Sequence, residues 1–321
     1  MMKLRNLPLL AIAALFAFNA GVAHAADGTS IAGIVFQQDM FMRSVARGMS
    51  DEAKAEDVTL LDGNSDNKAE KEASLIDTYV ARGVKAIVIA PLSDQASIPA
   101  LKRAHDKGVQ IVTWTTDIKA DFPVARVGSS GAIMGGGTGK AAARFIKEKL
   151  GGSATVGLIG FKAQLPELSN ARTQGFLTEA RKGGKLNVVA EQDAWLAEKA
   201  VSVVSDMLTA NPNINVIYAA NEGGTVGAVQ AVRRMNKQGK VFVFGTDGSE
   251  QLTSFLQDND DVLVATTAAQ PRLIGREAVK TALKAVKGQP VDKVIEVPAV
   301  PLSRDDPKTL ANYAASLKNV N

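Results

Sequence analysis

The sequence predicts an α/β protein of two doubly wound parallel-sheet lobes, joined by short crossings, with a ligand cleft between them. Three observations predict it. Short β-branched apolar runs alternate with stretches of helical length that carry their charge on one face. The unit strand–helix–strand–helix–strand occurs twice, before about residue 128 and after about residue 154, with no literal repeat and no long linker. Most of the runs are apolar on both faces, as buried parallel strands are.

The elements follow in order. Lys3 and Arg5 give a basic start, residues 7–18 an apolar run, and Ala23-His24-Ala25 small residues where a signal peptidase reads. The run is shorter than the roughly 20 residues a membrane span needs, so residues 1–25 read as a removable export signal rather than an anchor. Candidate strands are 31–36, 58–61, 86–90, 110–114, 124–127, 155–159, 188–190, 216–219, 241–244 and 262–266. Residues 66–82 form an amphipathic helix, with Glu70, Lys71, Glu72 and Asp77 opposite Leu75, Ile76, Tyr79 and Val80. Residues 291–297, followed by Pro298 and Pro301, read as extended strand. A last helix over about 307–317 has Pro307 at its start and Asp305-Asp306 before it.

Composition narrows the function. Removing the signal leaves roughly 300 residues, enough for two ordinary domains. Lys3 and Arg5 supply two of the four net positive charges. The remaining surface is too evenly mixed for a nucleic-acid binder or for adhesion to anionic membranes. The absence of cysteine excludes disulfides, thiolate metal sites, cysteine nucleophiles and lipid attachment at an export site. The second histidine, His105, sits in a polar helical stretch and reads as a solvated surface residue. One histidine builds no histidine-rich metal site. Residues 131–140 resemble a phosphate loop, but Met134 stands where glycine is required and Ala141 where Ser or Thr is. The stretch reads instead as a glycine-lined helix start that permits close packing near the cleft. No cofactor is expected.

In open α/β sheets ligands sit beyond the carboxyl ends of the strands. Polar residues collect there: Gln37-Gln38-Asp39 with Phe41, Thr115-Thr116-Asp117, Asn221-Glu222, Asp247 and Gln270. Carboxylates accept from adjacent hydroxyls, and amides both donate and accept. Arg172 adds a fork of donors. Charged hydrogen bonds are worth roughly 1.5–3 kcal/mol each, so three or four with an aromatic face reach the ~8 kcal/mol of a micromolar site. Phe41 and Trp195 are the candidate faces for the C–H side of a sugar. The alternative for Asn221 and Asp247 is helix capping, ahead of helices near Gly223 and Ser249. The alternative for Phe41 and Trp195 is plain core.

Residues 79–91, 170–176, 218–222 and 243–248, in this order and spacing, resemble the periplasmic sugar-binding proteins of the ribose-binding type. The resemblance covers nearly the whole mature chain. It implies a monomer whose two lobes are joined by three hinge crossings. The first lobe comprises residues 26–129 with 270–297, the second 130–269 with 298–321. It implies a small neutral sugar or sugar alcohol as ligand, delivery to an inner-membrane ABC permease with its ATPase, and no nucleic acid. By motif match it places Phe41, Arg172, Trp195, Asn221 and Asp247 on ligand-contacting positions, with Gln270 near another. Gln38, Asp39, Thr115 and Asp117 complete the expected set. The departures are Asp39-Met40-Phe41-Met42 where the family has Asn-Pro-Phe-Phe, Ala90 in place of Asn, and Thr115-Thr116 in place of Asp-Arg. Loss of that arginine and one ring points from ribose toward a sugar alcohol or an unusual sugar. The competing roles are a periplasmic sensor feeding a chemoreceptor or kinase, an exported enzyme and a sugar-responsive repressor. The last two lack a dinucleotide fingerprint and a DNA-binding headpiece respectively. A soluble, unanchored binding protein implies an outer membrane, hence a Gram-negative periplasm.

Overall fold

The computed structural model describes residues 28–318. The export signal expected over residues 1–25 lies outside the described residues. The first half of the chain runs β1 (Ser30–Val35), α1 (Met40–Ala55), β2 (Thr59–Asn64), α2 (Ala69–Ala81), β3 (Ala86–Ile89), α3 (Ile98–Asp106), β4 (Gln110–Trp114) and β5 (Ala125–Gly128). It continues with α4 (Gly131–Lys149), β6 (Ser153–Gly160), α5 (Pro166–Ala180), β7 (Lys185–Asp193), α6 (Ala197–Ala210), β8 (Val216–Ala219), α7 (Glu222–Arg234), β9 (Phe242–Phe244), α8 (Glu250–Gln257) and β10 (Leu263–Ala268). The last elements are α9 (Pro271–Val286), β11 (Val294–Glu296), β12 (Val300–Ser303) and α10 (Pro307–Lys318).

Two six-stranded sheets result, ordered β11-β5-β4-β3-β1-β2 and β12-β10-β9-β8-β6-β7. Every strand pair is parallel except β10 with β12. The strand order reverses at β1/β3 in one sheet and at β6/β8 in the other, the switch points where such folds take ligands. The chain passes between the sheets after β5, after β10 and between β11 and β12. Side chains tie these passages together. Ser129 Oγ donates to the Val297 carbonyl at 2.7 Å, the Ser130 N–H to Glu296 at 3.0 Å, and Gln270 Nε2 to the Pro298 carbonyl at 2.8 Å.

Alternation along the strands builds a core on each sheet face. Ala86, Val88, Val112 and Trp114 join α1 and α9 on one face of the first sheet, while Ile87, Ile89 and Ile111 meet α2 and α3 on the other. Both faces are covered by helices, which is why these runs read as continuously apolar. The run at 188–190 departs from that expectation. It lies in β7, an edge strand with Val188 and Val189 exposed. A bulge at Val189 interrupts its register, one of the devices that blunt open edges.

Two helix-surface expectations are corrected. Glu72 is 3% exposed, not on the solvated face of α2. Its carboxylate accepts from the Leu92 N–H at 2.9 Å and from Ser97 Oγ, bracing the turn after β3. His105 is half-buried and stacks on Phe122 at 5.2 Å. The glycine run does start a helix: Ser130 caps α4, and a Cβ on Gly135 would lie 1.8 Å from the Arg172 carbonyl oxygen. Backbone contact between α4 and α5 therefore sets the position of Arg172.

Candidate functional site

Four of the expected residues gather as two hydrogen-bonded pairs, Arg172 with Asp247 and Asn221 with Trp195, at the carboxyl edge of the second sheet. Arg172, on α5, is 13% exposed, and its Nη1 donates to the Ala220 carbonyl at 2.8 Å and to Asp247 Oδ2 at 3.2 Å. Asp247 follows β9 in the left-handed region, φ 76°, a conformation Asp tolerates better than most residues. Thr266 Oγ1 donates to its carbonyl at 2.7 Å, and its own N–H donates to Thr267 at 2.9 Å. Both bonds to its carboxylate fall on Oδ2, the second from the Glu222 N–H at 3.0 Å. Asp247 does not cap α8; Ser249 does.

Asn221 does cap. Its Oδ1 accepts from the Gly224 N–H at 3.1 Å, and its Nδ2 donates to the Trp195 carbonyl at 2.8 Å. That second bond anchors the loop carrying Trp195, a residue 40% exposed. Plain core is therefore not its role. Phe161, directly after β6, holds the arrangement from below. It meets Trp195 edge-on at 5.2 Å and lies 5.6 Å under the Arg172 guanidinium. Phe161 was missed by the sequence reading although it follows a strand at the same edge. Tyr218 was missed as well; its hydroxyl reaches Thr246 at 2.9 Å and its ring stacks on Phe176 at 4.0 Å. Burial pushes the Tyr218 hydroxyl pKa far up, so it stays a neutral hydrogen-bonding group.

On the first sheet, Asp39 caps α1 by accepting from the Met42 N–H at 2.8 Å, and it also accepts from Gln37 Nε2. Gln38 is exposed, and its carbonyl accepts from Arg43 at 2.6 Å. Phe41 is half-buried, packed on the core beneath α1. Thr115 follows β4 at φ 59°, and the Thr116 N–H closes a tight turn onto the Trp114 carbonyl at 2.7 Å. A β-branched residue in that region costs on the order of 1–3 kcal/mol, strain found mostly at functional sites. Asp117 is exposed and holds its own loop, accepting from Thr113 Oγ1 and the Ile118 N–H, each at 2.9 Å. Gln270 sits at the passage after β10, its amide on the Pro298 carbonyl.

The two edges face each other. Glu222, which the sequence sets beside Asn221 among the polar residues beyond β8, opens α7 at this edge. Lys119, paired with Asp94 at 2.7 Å, reaches Glu167 at the start of α5 at 3.9 Å. Two surface hollows, of about 430 and 530 Å³, lie against α6/α7 and around Arg304. Neither touches a strand's carboxyl end, so neither competes with this cleft.

The periplasmic binding protein domain profile matches residues 31–290. The chain belongs to the periplasmic binding protein family. The ABC transporter periplasmic-binding protein YphF of Escherichia coli is 29% identical over 311 residues, covering 92% of each chain. The D-allose-binding periplasmic protein of Escherichia coli is 31% identical, covering 80% of this chain and 85% of its own. Among solved structures, an ABC transporter periplasmic solute-binding protein of Actinobacillus succinogenes with bound D-allose superposes with a TM-score of 0.76 at 26% identity. That match covers 89% of this chain and all of the other. A Bacillus halodurans solute-binding protein with bound myo-inositol shares the fold, with a TM-score of 0.75 at 19% identity over 91% of this chain and 99% of its own. As a member of this family, the chain has the family's two parallel-sheet α/β lobes around a cleft. None of its described helices is long and apolar enough to cross a membrane.

Proposed function

We propose that this protein is the substrate-binding component of an ABC importer, holding a sugar or sugar alcohol between two lobes that close on it. The observation that carries the reading is the Arg172–Asp247 pair beside the open ring of Trp195. Asp247 keeps Oδ1 for a ligand hydroxyl, Arg172 keeps N–H groups to donate, and Trp195 offers a face for C–H groups. Gln38, Asp39, Phe41, Thr115 and Asp117 contribute from the first lobe, and Asn221 supports Trp195. Gln270 serves at the hinge.

We assign residues 26–129 with 270–297 to the first lobe and 130–269 with 298–321 to the second, because the chain passes between the sheets near these points. Ligand touching both lobes binds the closed form more tightly and shifts the population toward it. The role is binding rather than turnover. The partners are an inner-membrane permease and its ATPase, and the place is the periplasm, reached through the signal at residues 1–25. Calorimetric titration against pentoses, hexoses and polyols tests the reading. We expect at least one ligand at micromolar affinity or tighter. Tight ribose binding without polyol binding overturns the polyol preference, and no binding across the panel overturns the sugar reading.

A further inference from the structure

The passage after β5 is two residues long, Ser129 and Ser130, and Ser130 is also the cap of α4. Its Oγ accepts from the Ile133 N–H at 3.3 Å. That is one half of a capping box. The other half is a Glu or Gln three residues after the cap, whose side chain reaches back to the cap's own N–H. Ile133 stands there instead, 40% exposed and with no side-chain acceptor. Glu296 closes the box from 166 positions along the chain: its Oε2 accepts from the Ser130 N–H at 3.0 Å. A carboxylate in that place also meets the positive end of the helix dipole.

The other oxygen of Glu296 is held by the first sheet. Oε1 accepts from Arg126 Nη2 at 3.2 Å. Arg126 lies on β5 with its side chain 17% exposed, and β11 pairs Glu296 with Gly128, the residue before the passage. One carboxylate thus joins a strand of the first sheet to the first helix of the second lobe. The other two ties across the passages, Ser129 to Val297 and Gln270 to Pro298, are between neutral groups. The head of α4 in turn sits on Arg172. A Cβ on Gly131 would lie 3.3 Å from the Arg172 nitrogen, and one on Gly135 1.8 Å from its carbonyl oxygen.

We propose that Glu296 is a positioning residue for the ligand site: it fixes α4, and Arg172 against it, to the first sheet, and so sets the angle between the lobes. This rests on the reading that Arg172 holds the ligand and that the lobes close. Glu296 acts through Ser130 and α4, without touching ligand itself. Its two bonds are made in a conformation whose lips stand 3.9 Å apart at Lys119 and Glu167. Breaking them depletes that conformation. The free lobes then average further apart, and a ligand that needs both binds more weakly.

Two variants separate this role from plain helix capping. E296A removes the cap and the tie together. E296A/I133E rebuilds the capping box within α4, at an exposed position, and leaves the tie to Arg126 broken. The melting temperature of E296A should fall by roughly 2–4 °C, and the double variant should recover most of it. Small-angle X-ray scattering of the ligand-free proteins should give a radius of gyration above wild type in both variants. Titration with D-ribose, D-allose and myo-inositol should show affinity about 5- to 10-fold weaker in both, for whichever sugar binds wild type. A double variant with the wild-type scattering profile, or with wild-type affinity, overturns the proposal and leaves Glu296 a helix cap. The double variant also decides the matter should E296A fail to fold. If wild type binds none of the three sugars, the choice of ligand falls, and the scattering comparison by itself supports or overturns the tie.

Discussion

Arg172 and Asp247 meet at 3.2 Å across the carboxyl edge of the second sheet, and the same Arg172 nitrogen holds the Ala220 carbonyl at 2.8 Å. One guanidinium thus joins α5 to the segments after β8 and β9. With Asp247 29% exposed and Arg172 nearly covered, the pair is rigid on one side and open to a ligand on the other.

Replacing Asp247 by Ala should abolish ligand-induced thermal stabilisation while the apo protein stays folded. Removing the carboxylate leaves a mostly covered Arg172 less compensated, so a loss of about 1–3 kcal/mol in apo stability is expected as well. Scanning calorimetry with and without the ligand found by titration reads both. An unchanged ligand-induced shift would remove Asp247 from the site.

The chain has two tryptophans, and they divide the work of reporting binding. Trp114 is fully buried in the first lobe and Trp195 stands open. Trp195→Ala should weaken ligand binding by about 2- to 10-fold, the worth of one aromatic contact. It should cost less stability than truncating a buried ring, since Trp195 is 40% exposed. The variant should also lose most of the ligand-induced change in tryptophan fluorescence. A full fluorescence response in its absence would show that the ring lies outside the site.

Gly135→Ala forces a methyl into the Arg172 carbonyl, 1.8 Å from the ideal Cβ. Separation of α4 from α5 should cost roughly 1–3 kcal/mol. Affinity should fall too, because α5 carries Arg172. Denaturant unfolding and titration of the same variant check the two effects. Wild-type affinity at reduced stability would mean that the α4–α5 contact does not position the site.

Lys119 and Glu167 lie 3.9 Å apart at the cleft lip, both well exposed. Lys119→Glu should favour opening, and adding Glu167→Lys should restore closure. The coupling should stay under about 1 kcal/mol and fade in salt, as exposed pairs do. A double-mutant cycle on ligand affinity at low and high ionic strength measures it. Equal affinities in all four proteins would show that the pair does not act on closure.

Much of this molecule was legible before any contact was known. The strands at 31–36, 86–90 and 216–219 announce themselves through runs of β-branched residues, because a strand covered on both faces needs apolar side chains at every position. Once the strands are placed, Asp39, Thr115, Asn221 and Asp247 fall at their carboxyl ends by counting. Phe161 could have been found the same way. Glu72 could not: its helical position is polar by period, and only the turn after β3, with the Leu92 N–H and Ser97, makes burial favourable.

The sequence by itself determined the fold class, the twofold unit and the edge on which the polar residues gather, because these follow from local periodicity and chain order. The tertiary structure alone decided what each polar residue does. Asn221 holds the Trp195 carbonyl across 26 positions of chain, Gln270 turns to the Pro298 carbonyl across 28, and Lys119 comes within 3.9 Å of Glu167 from the other lobe. Such roles depend on which distant groups arrive within hydrogen-bond or Coulomb range, and no local pattern encodes that distance.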